Sequence, residues 1–360
     1  MVVYFSTMYQ AIPALYELYK RTGGAIVTTR LSTFIKTKRN FPEADVRLVK
    51  DYLPKWWPSK KLLHEAKLIV TGAPYRSFLA QFSAKKAMIF HGTYVHANDE
   101  ELLRLKHFDF LFSFGKRMTE YLSKGGYQKK IIESGYIPFL SFKHLSTAQK
   151  EVIYKKLHLS PSKQTILYMP MGKSFSSWDI MAEKLVSETP KEFNLILRPH
   201  PSYNTTINLV QTFKLIKLRL LCRKRGNTFL DKSNLSQGEI FNLTDLLICD
   251  GASVPEEALF YKIPIIFVET DRASKVKFRE HMQKNNLNER YIKRVLSIYD
   301  CGVSITPDES VAKKIKLALS QDKTEAQESY FKWVFNGRSK DRQLEATRFI
   351  LNHISRKDPD

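Results

Sequence analysis

Cysteine is scarce in this chain: three among 360 residues, Cys222, Cys249 and Cys301, with no C-x-x-C pair. That excludes a disulfide framework and a cysteine-built zinc site, and it fits a reducing compartment. Glycine and proline are sparse as well, at 14 and 15, and neither an internal repeat nor a low-complexity segment occurs, so the disordered and repeat classes fall away. No apolar run approaches the ~20 residues of a membrane span. Met1 to Thr7 lacks the basic start and long apolar core of a signal peptide. The sequence therefore predicts a cytoplasmic protein that neither spans a membrane nor is exported. No group of His, Cys and Asp has metal-ligand spacing, and the histidines outside the segments discussed below are scattered. Met171-Gly172-Lys173-Ser174 fails as a phosphate loop, because the first glycine of G-x-x-x-x-G-K-[ST] would fall on Leu167, inside a strand. Neither a metal nor a cofactor is expected.

Carboxylates are also in short supply. Lys and Arg number 58 against 36 Asp and Glu, a formal charge of +22. The first 150 residues hold 24 cations against 11 carboxylates and are the more basic part per residue. Such an excess favours an anionic partner, whether nucleic acid, acidic lipid or phosphorylated substrate, without choosing among them.

What is abundant is apolar: 43% of residues, 12% aromatic, enough for sizeable cores. Short β-rich runs alternate with helical patterns, the mark of parallel sheets with crossover helices. Strands are predicted at 2–6, 25–29, 67–71, 87–90, 108–113 and 130–134, then at 165–169, 194–197, 228–231, 245–249, 264–268 and 302–305. A helical stretch from Thr147 to Leu157 leads to Ser160-Pro161-Ser162, a junction, and Glu325 to Ile354 reads as one or two helices. The expected architecture is α/β: two doubly wound Rossmann-like domains facing a central cleft, with a C-terminal helical tail. The divisions are 1–158, 159–324 and 325–360, the tail packing back toward the first domain. Ligands of such sheets bind beyond the carboxyl ends of the strands, so residues just after strands are the functional candidates.

His91-Gly92-Thr93 follows one strand. His91 there can act as a general base near neutral pH, or simply be hydrogen-bonded at the strand end. Arg198-Pro199-His200-Pro201 follows another; the prolines stiffen the exit, and Arg198 and His200 can meet phosphate oxygens. The segment from Asp245 to Pro264 reads strand, small-residue turn, helix. Asp250, Gly251, Ala252 and Ser253 form the turn, where Ser253 can cap the helix and leave room for an anion. Glu256 and Glu257 can favour the helix N-terminus or grip a ribose. Lys173 is a candidate phosphate contact or a solvated lysine. Two basic stretches, Lys36, Lys38 and Arg39, then Lys55, Trp56, Trp57, Lys60 and Lys61, suit an anionic membrane surface. Ordinary surface and single-stranded nucleic acid are the rival readings, the last without any recognisable motif.

Together these segments resemble the CDP-glycerol glycerophosphotransferase family of teichoic acid and capsule polymer synthesis. Its His-Gly-Thr motif is similar to His91-Gly92-Thr93, and its Arg-x-His-Pro motif to Arg198 through Pro201. Its Asp-Leu-Leu-Ile-Thr-Asp-Tyr-Ser-Ser motif is similar to Asp245 through Ser253, and Leu167 through Lys173 resembles a further motif with lysine in place of arginine. Gly135-Tyr136 and Asn336-Gly337…Arg342 are looser matches. Ala252 and the pair Glu256-Glu257 depart from the family. The latter resemble the nucleotide-sugar turn of UDP-N-acetylglucosamine 2-epimerases and many glycosyltransferases, where the second glutamate binds ribose. The resemblance implies a glycosyltransferase-B-like fold with an N-terminal acceptor and membrane domain and a C-terminal donor domain. It implies a CDP-polyol or nucleotide-sugar donor, a lipid-linked or polymer acceptor, no nucleic-acid partner, and a peripheral position on the inner face of the membrane. It further implies His91 as base, with Arg198, His200 and Ser253 at the diphosphate.

Overall fold

The computed structural model describes residues 1–50, 52, 54–93, 99–172, 175–200, 203, 209–231, 233, 235–251, 253–339 and 341–355. The chain divides into two compact units, Met1–Phe142 with Lys332–Asp360, and Lys143–Phe331.

The first unit is built on seven parallel strands: β1 (Val2–Phe5), β2 (Ala25–Thr28), β3 (Val46–Leu48), β4 (Leu68–Thr71), β5 (Lys85–Met88), β6 (Phe110–Ser113) and β7 (Ile131–Glu133), ordered β3-β2-β1-β4-β5-β6-β7. The central strands are covered on both faces, so Val2-Val-Tyr-Phe5 and Leu68-Ile-Val-Thr71 are buried at every residue rather than alternating. The helix Asp341–Ser355 belongs to this unit; its Ala346 and Ile350 join the core of Tyr4, Ile26 and Val70, and Phe349 meets Phe110 and Phe112.

The second unit carries six parallel strands: β8 (Thr165–Met169), β9 (Asn194–Leu197), β10 (Thr228–Leu230), β11 (Leu246–Cys249), β12 (Ile265–Val268) and β13 (Val303–Ile305), ordered β10-β9-β8-β11-β12-β13. In both sheets the strand order reverses once, between β1 and β4 and between β8 and β11. Those two reversals are where a doubly wound sheet opens a crevice at its carboxyl edge.

The predicted strands all occur, two of them (165–169 and 194–197) with the same ends and the others with ends shifted by one or two residues. β3 was not anticipated: it is three residues long and at the sheet edge, with only Val46 fully buried, so its sequence shows no period. The unit boundaries also differ from 158/159 and 324/325. The helix Thr147–Lys156 stays with the second unit because the Tyr154 hydroxyl is bound to Thr165 Oγ1 and Leu243 O, and Asn242 holds Lys143 O and Leu145 N. At the other end Gln327 donates to the carbonyls of Ile263 and Cys301, which keeps the chain with this unit through Phe331.

Candidate active site

In the first unit the reversal point places Gly72, just past β4, beside the segment that leaves β5. His91 Nδ1 lies 2.5 Å from the Gly72 carbonyl oxygen. A carbonyl only accepts, so Nδ1 carries the proton and Nε2 holds the lone pair. Burial pushes the His91 pKa down, partly opposed by this hydrogen bond, a shift toward the neutral imidazole that a base requires. The approach is close on the other side too: a Cβ on Gly72 would lie 2.3 Å from Ala11 Cβ.

The backbone after His91 is held from below. The Tyr136 hydroxyl reaches the His91 carbonyl at 3.4 Å, and the Arg117 guanidinium donates to the Thr93 carbonyl at 2.8 Å. Arg117 and Thr93 are fully buried. Arg117 lies over the rings of Phe114 and Trp333, and Phe335 packs on Phe114, Tyr136 and Phe139. An added Cβ on Gly135 would come 3.1 Å from Arg342. Gly135 and Arg342, from the two loosest motif matches, thus meet each other next to the His91 segment.

In the second unit the reversal point carries Asp250. It is completely buried, and its carboxylate accepts from Met171 N at 2.9 Å, from Ser177 N at 3.0 Å and from Ser177 Oγ. Burial raises its pKa, while these donors pull it down. With both oxygens engaged, Asp250 pins the ends of the loop after β8, the loop that contains Lys173. Lys173 and Ala252 themselves lie outside the described residues. Gly251 adopts φ +128°, a conformation other residues rarely enter, and Phe278 would sit 3.0 Å from an added Cβ. Ser253 is the first residue of the helix Ser253–Ala258 rather than its cap.

Arg198, just past β9, is anchored by the Leu235 carbonyl at 2.8 Å and faces the buried Asp231 carboxylate at 3.4 Å. Glu257 accepts from Gln237 Nε2 at 2.5 Å. Arg198 and Glu257, 59 positions apart, are therefore braced by one short segment, Leu235 to Gln237. That segment enters the helix Gln237–Asn242 through a capping box between Ser236 and Glu239. His200 is exposed, and its carbonyl accepts from Tyr203 N; Pro201 lies outside the described residues. Glu256 does not join this group: it is buried and takes the Tyr330 hydroxyl at 2.7 Å.

Of the proposed membrane residues, Lys36, Lys38, Arg39, Lys55, Trp56, Trp57 and Lys61 are exposed. Lys36 Nζ stands 4.2 Å over the Tyr9 ring, and Lys38 and Arg39 occupy the last turn of the helix Leu31–Asn40, where cations also suit the macrodipole. Lys60 is a correction. The helix Pro58–His64 turns Ser59, Lys60 and Leu63 inward, with Ser59 Oγ bound to Leu48 O, so Lys60 is 8% exposed and does not face a surface. Sequence reasoning missed Gly72, Arg117, Asp231 and Gln237. Only the Ser236-x-x-Glu239 capping box beside Gln237 left a readable trace.

Two doubly wound units, each with motif residues at its carboxyl edge, form a glycosyltransferase-B-like fold. Residues 62–281 match the family described as CDP-Glycerol:Poly(glycerophosphate) glycerophosphotransferase, and the chain belongs to that family. It is thus an enzyme of the CDP-glycerol glycerophosphotransferase class. No curated protein sequence matches it. Among solved structures it is similar to the wall teichoic acid polymerase TagF, at 16% identity and TM-score 0.63 over 98% of this chain and 88% of that one. It is also similar to S. aureus MnaA in a co-structure with UDP, at 14% identity and TM-score 0.61 over 100% and 98%. A putative UDP-N-acetylglucosamine 2-epimerase from Listeria monocytogenes aligns at 14% identity and TM-score 0.56 over 99% and 97%. Among the described residues no helix is long and apolar enough to cross a membrane, and no cluster of His, Cys, Asp and Glu is suited to a metal.

Proposed function

We propose that this enzyme moves glycerol phosphate, or a similar polyol phosphate, from a CDP-linked donor to a hydroxyl of a membrane-linked acceptor, with His91 as the base. The observation that carries this reading is the His91 Nδ1 to Gly72 contact, which leaves Nε2 as the proton acceptor. The acceptor oxygen attacks the phosphorus bearing the polyol and forms a new P–O bond. The bridging P–O bond breaks and its electron pair leaves with CMP, while the hydroxyl proton passes to Nε2. Arg198 and His200, with Lys173, neutralise charge on the transferred group. Ser253 and the turn at Gly251 and Ala252 hold the diphosphate, and Glu257 the ribose.

The first unit supplies the acceptor side and rests on the inner face of an anionic membrane. Leu31 and Ile35, beside Lys36, Lys38 and Arg39, and Tyr52, Trp56 and Trp57, beside Lys55 and Lys61, are exposed apolar groups among cations, a composition suited to headgroup level. Nucleic acid has no part in this reading. A variant tests the chemistry: His91→Asn should bind CDP-glycerol with unchanged affinity by calorimetry but turn it over roughly 10² to 10⁴ times more slowly. Near-normal turnover in folded protein overturns the assignment.

A further inference from the structure

The helix Leu209–Arg225, between β9 and β10, has an outer face of unusual composition. Its inward side is ordinary, with Leu218 and Cys222 in the core of the second unit. Outward, Phe213, Ile216 and Leu220 are 70%, 45% and 58% exposed, and the spacing i, i+3, i+7 makes them one stripe. At 100° per residue, Lys217 and Lys224 flank the stripe on one side and Arg219 and Arg223 on the other. The helix contains six cations and no carboxylate. Arg225 is used internally, capping the carbonyls of Pro190 and Phe193. Lys214 and Lys217 face Asp179 and Glu183 of the helix Trp178–Glu188, whereas among the described residues no carboxylate pairs with Arg219, Arg223 or Lys224.

We propose that this face lies on an anionic lipid surface, as a membrane contact of the second unit separate from the aromatic and basic patch of the first. An apolar stripe bordered by cations on both sides matches acyl chains below and phosphate headgroups beside them. A protein partner fits less well. Lysine is depleted in protein interfaces, and one helix face about 25 Å long falls short of the ~800 Å² per side that a stable interface buries.

The contact rests on this helix alone and not on the transfer chemistry, so the test reads binding. The full chain is sedimented with phosphatidylcholine vesicles with and without phosphatidylglycerol. The wild type is compared with Phe213→Ser/Leu220→Ser, with Arg219→Glu/Arg223→Glu/Lys224→Glu, and with Lys55→Glu/Trp56→Ser in the first unit. Both helix variants change exposed side chains only, and their thermal midpoints should match the wild type. Each should lower binding to the anionic vesicles about tenfold or more, as expected from losing two inserted side chains or reversing three charges, while CMP release with a soluble acceptor is unchanged. Binding that falls only in the first-unit variant overturns this proposal and leaves the membrane reading of the first unit standing. A helix variant that alters self-association instead of vesicle binding also overturns it.

Discussion

Gly72 and His91 stand at the ends of neighbouring strands, and the Gly72 carbonyl meets His91 Nδ1 at 2.5 Å. The contact is possible because Gly72 has no side chain to push it off Ala11. Gly72→Ala should destabilise the protein by about 1–3 kcal/mol, the usual range for overpacking, and lower turnover more than donor affinity. Denaturant melts alongside steady-state kinetics check this; a variant with wild-type stability and rate contradicts the geometry.

Burial lowers the His91 pKa from its ordinary 6.5. The base therefore stays neutral to lower pH than a free imidazole, and the acid limb of kcat/KM should lie below 6.5. The stability consequence has a definite sign. Between the folded and unfolded pKa values the unfolded chain binds the extra proton, so the His91 contribution is fully present above 6.5 and is lost as pH falls below it. His91→Gln should flatten that part of the stability profile, as followed by thermal melts at a series of pH values.

Asp250 gathers Met171 N, Ser177 N and Ser177 Oγ on one buried carboxylate. Asp250→Ala leaves those donors unpaired and should cost at least about 1–3 kcal/mol. Faster proteolysis of the segment 171–177 should accompany it, and Ser177→Ala should give a milder version of the same loss.

Glu256 and Glu257 are adjacent in sequence and separate in role. Glu257→Gln should raise the donor KM by roughly 10- to 100-fold, the worth of a charge-assisted hydrogen bond to ribose. Tyr330→Phe, which strips a donor from Glu256, should lower stability and leave the donor KM near wild type. The opposite pattern would exchange the two assignments.

The strands of both sheets were legible because buried parallel strands are apolar throughout, as in Leu246-Leu-Ile-Cys249 and Ile265-Ile-Phe-Val268. Residues immediately after those strands, His91, Arg198 and Asp250, were legible for the same reason. What holds them was not. Arg117 reaches Thr93 across 24 positions, and Leu235 to Gln237 braces both Arg198 and Glu257; such contacts follow from packing and leave no local period. Lys60 shows the converse. A lysine next to Lys61 reads as surface, yet the helix phase set by Leu63 and Ser59 turns it inward. The division between units was misplaced because Ser160-Pro161-Ser162 looks like a junction, whereas Asn242 ties the chain to the second unit already at Lys143.

The most direct test of the account is the identity of the nucleotide released when the purified protein is incubated with CDP-polyols or UDP-sugars and a lipid-linked acceptor mixture. Polyol-phosphate transfer predicts CMP, formed in step with acceptor extension. Release of UDP or CDP would mean that a sugar is transferred, and would contradict the assigned reaction.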